Sequence, residues 1–356
     1  MTMQPKIAVA MSGGVDSSVA AALLKEQGYE VIGITLILTN ENRPVLTRAG
    51  ETASALDDAR RVCDILGISH HTADLREEFS VKVIQPFLRQ YGAGLTPNPC
   101  IFCNRHIKFG KLRNIAAGLG CQRMATGHYA RILTDESGQN RLARAVDQKK
   151  DQSYMLYQLT QEAIDHIHLP LGHYSKPQVR ELAAKFSLPV AQKRESQEIC
   201  FIPDDDYYAF IKAHNPACLK PGEILHESGQ VLGHHQGVPL YTIGQRKGLG
   251  IAYSEPLFVK ALDAENHRVI VGEADSVFSR ELTAQEVNWI NGLPPESLLK
   301  VTAKIRYGHQ GSPAAVTLLP CGRVSVRFDA PVRAVTPGQS VVFYAGDIVL
   351  GGGIIC

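Results

Sequence analysis

The run Ile7-Ala8-Val9-Ala10-Met11 is short, wholly apolar, and broken at once by Ser12-Gly13-Gly14. A helix is predicted next, with Val15, Val19, Ala22 and Leu23 on one face and Gly28 as its stop signal. Val31-Ile32-Gly33-Ile34-Thr35-Leu36 then reads as a second buried strand. Strand, helix and strand within about 30 residues form a βαβ unit, which demands a parallel sheet and a right-handed crossover. Few other folds accommodate such a start.

The pattern continues downstream. Residues 40–54 are polar and aperiodic and read as a mobile loop. A helix over about Leu56 to Leu66 leads to a third strand at Ser69-His70-His71-Thr72-Ala73, and a helix near Phe79 to Tyr91 precedes the Gly/Pro-rich stretch Gly92 to Pro99. Arg123-Met124-Ala125-Thr126-Gly127-His128 reads as a further strand ending at a glycine. This alternation predicts a doubly wound α/β domain. From Pro221 the texture changes to short alternating segments such as Val324, Val326 and Phe328, separated by turns, which predicts small β-rich domains or a barrel. Boundaries are placed near 205 and 275, giving domains 1–205, 206–275 and 276–356.

With 356 residues, 37 Lys and Arg, and 35 Asp and Glu, the chain has a formal charge of only +2. That excludes polyanion binding by bulk charge and leaves room for a local basic face. No run of about 18 apolar residues suggests a membrane span. The N-terminus passes into a strand without a signal-peptide core, so a cytoplasmic protein is expected. The eight cysteines of so long a chain are then reduced thiols rather than a disulfide framework. Cys63, Cys121, Cys218, Cys321 and Cys356 read as packed or incidental. Cys100, Cys103 and Cys200 do not.

Paired glycines at Gly13 and Gly14 let the backbone turn tightly and aim several N–H groups at one point; the serines and the helix N-terminus add donors and positive potential. The result is a cradle for phosphate. There is no G-x-x-x-x-G-K-[ST] and no G-x-G-x-x-G, so neither a Walker loop nor a dinucleotide fold is indicated. Ser12-Gly13-Gly14-Val15-Asp16-Ser17 instead resembles the pyrophosphate loop of the ATP pyrophosphatases. The resemblance implies ATP with Mg²⁺, attack of a substrate oxygen on the α-phosphate, and departure of pyrophosphate.

Two thiol segments narrow the chemistry: Asn98-Pro99-Cys100-Ile101-Phe102-Cys103-Asn104-Arg105 and Ser196-Gln197-Glu198-Ile199-Cys200-Phe201-Ile202-Pro203. One thiol can carry a persulfide while the other attacks or resolves it. Arg105 and Lys108 are expected to favour the Cys103 thiolate. With Lys150-Asp151-Gln152-Ser153-Tyr154, Tyr241 to Gly250, Lys304-Ile305-Arg306-Tyr307, Arg333 to Gln339 and Gly351 to Ile355, the chain resembles the tRNA-specific 2-thiouridylases over nearly its whole length. That family replaces the C2 oxygen of the wobble uridine with sulfur.

The resemblance implies Cys103 as nucleophile and Cys200 as persulfide carrier, the two able to form a disulfide. Ala10, Met11, Ser12, Gly13, Gly14, Val15, Asp16, Ser17, Leu36 and Gly127 match ATP-contacting positions. Asn98, Pro99 and Cys100 match the segment touching the target base. Lys150, Asp151, Gln152, Arg306 and Tyr307 match tRNA-contacting segments. The implied partners are tRNA and a persulfide-carrying sulfur donor protein. The implied architecture is a nucleotide domain, a small central domain and a C-terminal β-barrel.

One position departs from the pattern: many relatives carry Asp where this chain has Cys100. The resulting Cys100-x-x-Cys103, with Cys200, supplies three soft ligands that could hold an iron–sulfur cluster, or zinc, or no metal at all. The persulfide and cluster routes both stay open on sequence. His70-His71 and His234-His235 are adjacent on strands and point to opposite faces, so joint chelation is not expected. His128, at a strand's carboxyl end, is a candidate neighbour of ATP. Arg246, Lys247, Lys304, Arg306 and Tyr307 together offer phosphate contacts and a stacking surface. An amidotransferase-type synthetase would leave the thiols unused, and a non-catalytic tRNA-binding protein would leave the phosphate loop unused.

Overall fold

Five parallel strands organise the first half of the chain, in a computed structural model that describes residues 4–39, 45–46, 52–193, 199–202, 206–292 and 298–356. They are β1 (Lys6–Ala10), β2 (Glu30–Ile37), β3 (Ser69–Asp74), β4 (Arg123–Ala125) and, after a hairpin, β7 (Ile167–His168), in the order β3-β2-β1-β4-β7. Central β1 pairs through Ala8 with Ile32 on one side and Met124 on the other. Both faces of such a strand are covered, so its apolar run is continuous rather than alternating. Ile7 and Val9 pack toward α1 (Val15–Glu26) and α2 (Ala55–Leu66), while Ala8 joins Phe109, Leu112 and Ala116 on the opposite layer.

The helix α1 is buried beyond the expected stripe, since Ala20, Ala21 and Leu24 are buried along with Val15, Val19, Ala22 and Leu23. For α2, Ser54 and Asp57 form a reciprocal capping box at the start and Gly67 takes the left-handed conformation at the end. Two longer helical runs follow, α3 (76–92) and α4 (99–118). Each contains a π-helical stretch, Ser80–Ile84 in α3 and Cys103–Leu112 in α4. Of the loop expected at 40–54, Val45–Leu46 and Thr52–Ala53 form a two-residue antiparallel ladder; residues 40–44 and 47–51 lie outside the described residues.

The central unit is a four-stranded sheet of β8 (Gly222–His226), β9 (Val231–His235), β10 (Phe258–Asp263) and β11 (Arg268–Gly272), ordered β9-β8-β11-β10. Beyond it, β12 (Phe278–Trp289), β13 (Leu298–Lys304), β14 (Ser312–Leu318), β15 (Val324–Arg333), β16 (Ser340–Ala345) and β17 (Ile348–Ile355) close into a six-stranded barrel through the β12–β17 pairing. Alternation delivers Val324, Val326 and Phe328 to its interior, with Leu282, Ala284 and Val316. The fold is thus an α/β domain with a parallel sheet, a small β-rich domain and a C-terminal β-barrel.

One connection has no counterpart in the sequence pattern. A hairpin of the first half, β5 (Ala130–Thr134) and β6 (Asn140–Arg144), adds to the barrel sheet where Ala143 pairs with Ile348. Tyr154, Tyr157 and Leu142 share one core with Ile290, Val342, Tyr344 and Val349. Among the described residues, no helix is long and apolar enough to cross a membrane.

Candidate active site

The strand order turns outward in both directions from β1, so the carboxyl ends of β1 and β4 flank a switch point of the kind where α/β sheets bind ligands. A cleft of about 510 Å³ opens there. Its walls include Ala10, Met11, Ser12, Asp16 and Ser17 after β1, Leu36 on β2, Ala55 and Leu56 at the start of α2, and Gly127 and His128 after β4. Gly13, Gly14 and Val15 are not on the wall: the glycines make the turn, and Val15 belongs to the core. Gly13 has φ +67°, and a Cβ there would lie 2.0 Å from the Ala55 carbonyl oxygen. Across the cleft, a Cβ on Gly127 would lie 2.7 Å from the backbone of Asp16 and Ser17. Both glycines are required by close approach of backbones. The loop is further held by Ser17 and Ser18, whose hydroxyls donate to the Gly14 carbonyl at 3.2 and 2.8 Å, and by the Ser12 N–H donating to Ser17 Oγ at 3.1 Å.

Two lysines brace this loop. Lys176, from α5 (Lys176–Lys185), donates to both Asp16 carboxylate oxygens at 2.7 and 2.9 Å, and the Tyr129 hydroxyl donates to the first of them at 2.7 Å. Lys193 donates to the Gly13 carbonyl at 3.0 Å and to Asp58 Oδ2 at 2.6 Å. Neither lysine stood out in the sequence. Lys176 carried a weak signal, because a cation in the first turn of a helix opposes the helix dipole and asks for a local anion.

The thiols are brought to the same place. Cys103 opens the π-helical stretch of α4, where hydrogen bonding runs from i to i+5, so Lys108 lies one turn on, over the same face. Lys108 lines the cleft and donates to His128 Nε2 at 3.4 Å. An ammonium only donates, so the His128 ring proton sits on Nδ1 and is donated to Thr126 Oγ1 at 2.7 Å. Burial and the neighbouring Lys108 hold the imidazole well below its usual range, and it is neutral. Cys200 lines the cleft too. Its segment is fixed by Phe201, which meets Phe79 and Phe87 edge-on at 5.5 and 5.4 Å in a cluster that also contains Cys103.

Cys103 is a buried residue, while Cys100 and Cys200 are exposed ones. All three thiols are nevertheless pushed up, first by desolvation, Cys200 to about 12. Lys108 pulls each one down, but burial wins, which corrects the expectation of a Cys103 thiolate in this state; Arg105 is exposed and has no part in the balance. Among the described residues no three His, Cys, Asp or Glu side chains are grouped to hold a metal ion. The three thiols are neighbours without forming a ligand set. Ser196, Gln197, Glu198 and Pro203 lie outside the described residues.

The segments matched to tRNA contacts converge on residues 153–156. Asn98 caps the start of α4, accepting from the Cys100 N–H at 3.2 Å, and its amide donates to Met155 Sδ at 3.3 Å. Pro99 is buried behind it. Tyr154 meets exposed Tyr307 edge-on at 6.4 Å. Gln152 lines the cleft and accepts from the Tyr129 N–H at 2.9 Å. Two residues differ from their expected exposure. Asp151 is 4% exposed and accepts from Ala145 N, Ser153 N and Ser153 Oγ, so it holds the turn that presents Lys150 and Gln152. Lys304 is 6% exposed and stands over the Tyr154 ring, so it is an internal cation rather than a surface one. Arg306 is half-buried and donates to the Arg333 carbonyl at 2.8 Å.

Comparison with known families and proteins follows the same architecture. Residues 5–204 match the family described as tRNA methyl transferase HUP domain, residues 208–273 the tRNA methyl transferase PRC-barrel domain, and residues 279–355 the aminomethyltransferase beta-barrel domain. The chain is 52% identical over 354 residues to the tRNA-specific 2-thiouridylase MnmA of Moorella thermoacetica, covering 98% of each chain. It is 51% identical over 361 residues to tRNA-specific 2-thiouridylase MnmA 1 of Caldanaerobacter subterraneus subsp. tengcongensis, covering 100% of this chain and 99% of that one. With the MnmA of Pelotomaculum thermopropionicum it shares 50% over 354 residues, 98% of this chain and 97% of the relative.

Proposed function

The chain belongs to the family of the tRNA-specific 2-thiouridylases, and from that premise we propose that it thiolates C2 of the wobble uridine of tRNA at the expense of ATP. The observation that carries the reading is that Ser12, Asp16 and Ser17 of the loop line one cleft with Cys200. Nucleotide activation and sulfur delivery then share a single cavity.

The target base is unstacked toward the Asn98–Cys103 segment, because its C2 carbonyl is out of reach inside a stack. Its O2 attacks the α-phosphate of ATP, pyrophosphate leaves, and the C2–O–adenylate makes C2 electrophilic. Mg²⁺ bound with ATP would neutralise charge on the leaving pyrophosphate; Asp16, the carboxylate of the loop, is engaged by Lys176 and Tyr129. Cys200 accepts a sulfane sulfur from a donor protein. That sulfur attacks C2 while still part of the Cys200 persulfide, and the Cys103 thiolate then cleaves the S–S bond at Cys200 Sγ; or Cys103 attacks Cys200 Sγ first and releases hydrosulfide, which attacks C2. AMP departs with the former O2. Either path ends with a Cys103–Cys200 disulfide that an external thiol must reduce. Among the described residues Cys100, Cys103 and Cys200 are not grouped as metal ligands, and the persulfide route needs no cluster. Residues 1–205 act as the catalytic domain, 206–275 as the central domain and 276–356 as a tRNA-contacting barrel, in a reducing cytoplasm that keeps the thiols available.

The test is anaerobic thiolation of an unmodified tRNA transcript with ATP, Mg²⁺ and a persulfide donor or sulfide, read by nucleoside mass spectrometry. ATP-dependent 2-thiouridine that is lost in Cys103→Ser and Cys200→Ser but kept in metal-free Cys100→Ser supports the persulfide route. Activity that needs all three cysteines and tracks bound iron overturns it. No thiolation in either metal-free or iron-reconstituted protein removes the assignment.

A further inference from the structure

Among the described residues that line the cleft, Lys108 is the sole lysine or arginine. Its place is set from two sides. Along the chain, Cys103 and Lys108 stand one i to i+5 turn apart in the π-helical stretch Cys103–Leu112. Across the cleft, the ammonium donates to Nε2 of neutral His128 at 3.4 Å. The His128 ring in turn leans on buried Phe109, the residue after Lys108, with ring centroids 5.9 Å apart. Lys108 is thus held between the helix that carries Cys103 and the wall that carries His128, and Cys200 lines the same cleft. Its charge is felt at Cys100, Cys103 and Cys200 alike, where it opposes the effect of burial.

Sulfur transfer moves a negative charge through this cleft. A persulfide is an anion when it attacks, and hydrosulfide is one when it is released. Such a charge is costly in desolvated surroundings unless a partner meets it. A fixed ammonium meets it without the reorientation that water needs. The tether decides which anion this lysine serves, since it rides on the same turn as Cys103 rather than on the phosphate loop.

We propose that Lys108 is the counter-ion of the sulfur nucleophile, a catalytic residue of sulfur transfer that takes no part in ATP activation. The proposal rests on the thiolation reading above. In the direct route the persulfide proton leaves to water and the terminal sulfur bonds to C2 beside Lys108. The C2–O bond breaks, and AMP takes the electron pair. The Cys103 thiolate, its own proton also lost to water, then attacks Cys200 Sγ. The Cys103–Cys200 bond forms as the bond to the transferred sulfur breaks, and that electron pair stays with the sulfur on C2. Lys108 keeps its protons throughout, and His128 holds it in place by accepting a hydrogen bond.

The experiment separates the two halves of the reaction, using the full chain, an unmodified tRNA transcript, and the variants Lys108→Met and Lys108→Arg. Without a sulfur source, a single turnover is followed by release of labelled pyrophosphate. With sodium sulfide, which supplies hydrosulfide directly, 2-thiouridine is counted by nucleoside mass spectrometry. Lys108→Met should release pyrophosphate within about twofold of wild type and lose about 100-fold in kcat/KM for sulfide, as removal of one preorganised charge does. Lys108→Arg keeps the charge and should recover most of the loss; an arginine variant no better than methionine overturns the proposal. Equal loss in both halves with weakened ATP binding assigns Lys108 to the nucleotide phosphates and also overturns it. So does equal loss with a lowered melting temperature, the mark of a purely structural lysine. Thiolation by Lys108→Met at the wild-type rate removes the proposal alone. If wild type neither releases pyrophosphate nor thiolates, the activation reading fails and the proposal with it.

Discussion

A sulfur that is to act as a nucleophile while buried must be charged late, and the thiols of this cleft have that property. Desolvation outweighs Lys108 at Cys103 and drives Cys200 to about 12, so near neutral pH both rest as protonated thiols. Because only the thiolate alkylates, a raised pKa moves reactivity to higher pH. The Cys200 alkylation rate should still be climbing at pH 10, and Lys108→Met should slow it further at any fixed pH; a plateau by pH 8 would contradict the arrangement. The desolvated resting state also protects a thiol from adventitious oxidation. Gly127 yields a second prediction at this scale. A methyl group there collides with the backbone of Asp16 and Ser17, so Gly127→Ala must shift the loop while leaving both strands intact. It should raise the KM for ATP about tenfold or more with little change in melting temperature, because misplacement rather than unfolding is the damage. An unchanged KM in steady-state assays would show that the loop has slack.

At the level of elements, much was readable from short-range pattern. The βαβ start, the strand at 69–74, the helix before Leu66 and the buried alternation at Val324, Val326 and Phe328 all follow from apolar period and glycine placement. What could not be read was any feature whose cause lies far along the chain. Lys176 and Lys193 are ordinary lysines until the fold sets Asp16 and Asp58 beside them, and Asp151 looks like a surface acid until three donors close round it. The π-helical stretch of α4 was equally hidden, because one such stretch inside a longer helix leaves no separate period to read. That stretch is what puts Lys108 over Cys103, since five residues on an α-helix would turn it about 140° away. Phe201 does the matching work for Cys200. Removing it from between Phe79 and Phe87 should cost about 3 kcal/mol. Phe201→Ala should also slow oxidative closure of Cys103 to Cys200 more than it slows alkylation of either thiol alone. Denaturant titration and timed thiol trapping measure the two effects, and unchanged closure would remove Phe201 as the positioning group.

On the scale of the molecule, the barrel is not a module hung on the end of an enzyme. Thr96, in the loop leading to Asn98, donates to the Pro337 carbonyl at 2.9 Å and accepts from the Gln339 amide at 3.1 Å. With the hairpin β5–β6 in the barrel sheet and one core running from Leu142 to Val349, the first and last domains should melt together. Scanning calorimetry should show one transition for the pair, with at most a separate one for the central sheet; two well-resolved transitions for the nucleotide domain and the barrel would break that expectation. Exposed Tyr307, braced on buried Tyr154, belongs to the same joint. Tyr307→Ala should weaken tRNA by about 1–3 kcal/mol without altering the salt dependence, as loss of stacking does, whereas loss of a phosphate contact would lower the slope. The hairpin has a last consequence, which falls on the ribosome. Its strand Asn140–Arg144 leaves the exit tunnel some 200 residues before its partner Ile348–Ile355. At about 5–20 residues per second it waits for roughly ten seconds or more with an open edge. For that interval the nascent chain carries an unpaired strand and half a core, and its yield in a cell depends on how well chaperones cover that edge before the final eight residues of the barrel arrive.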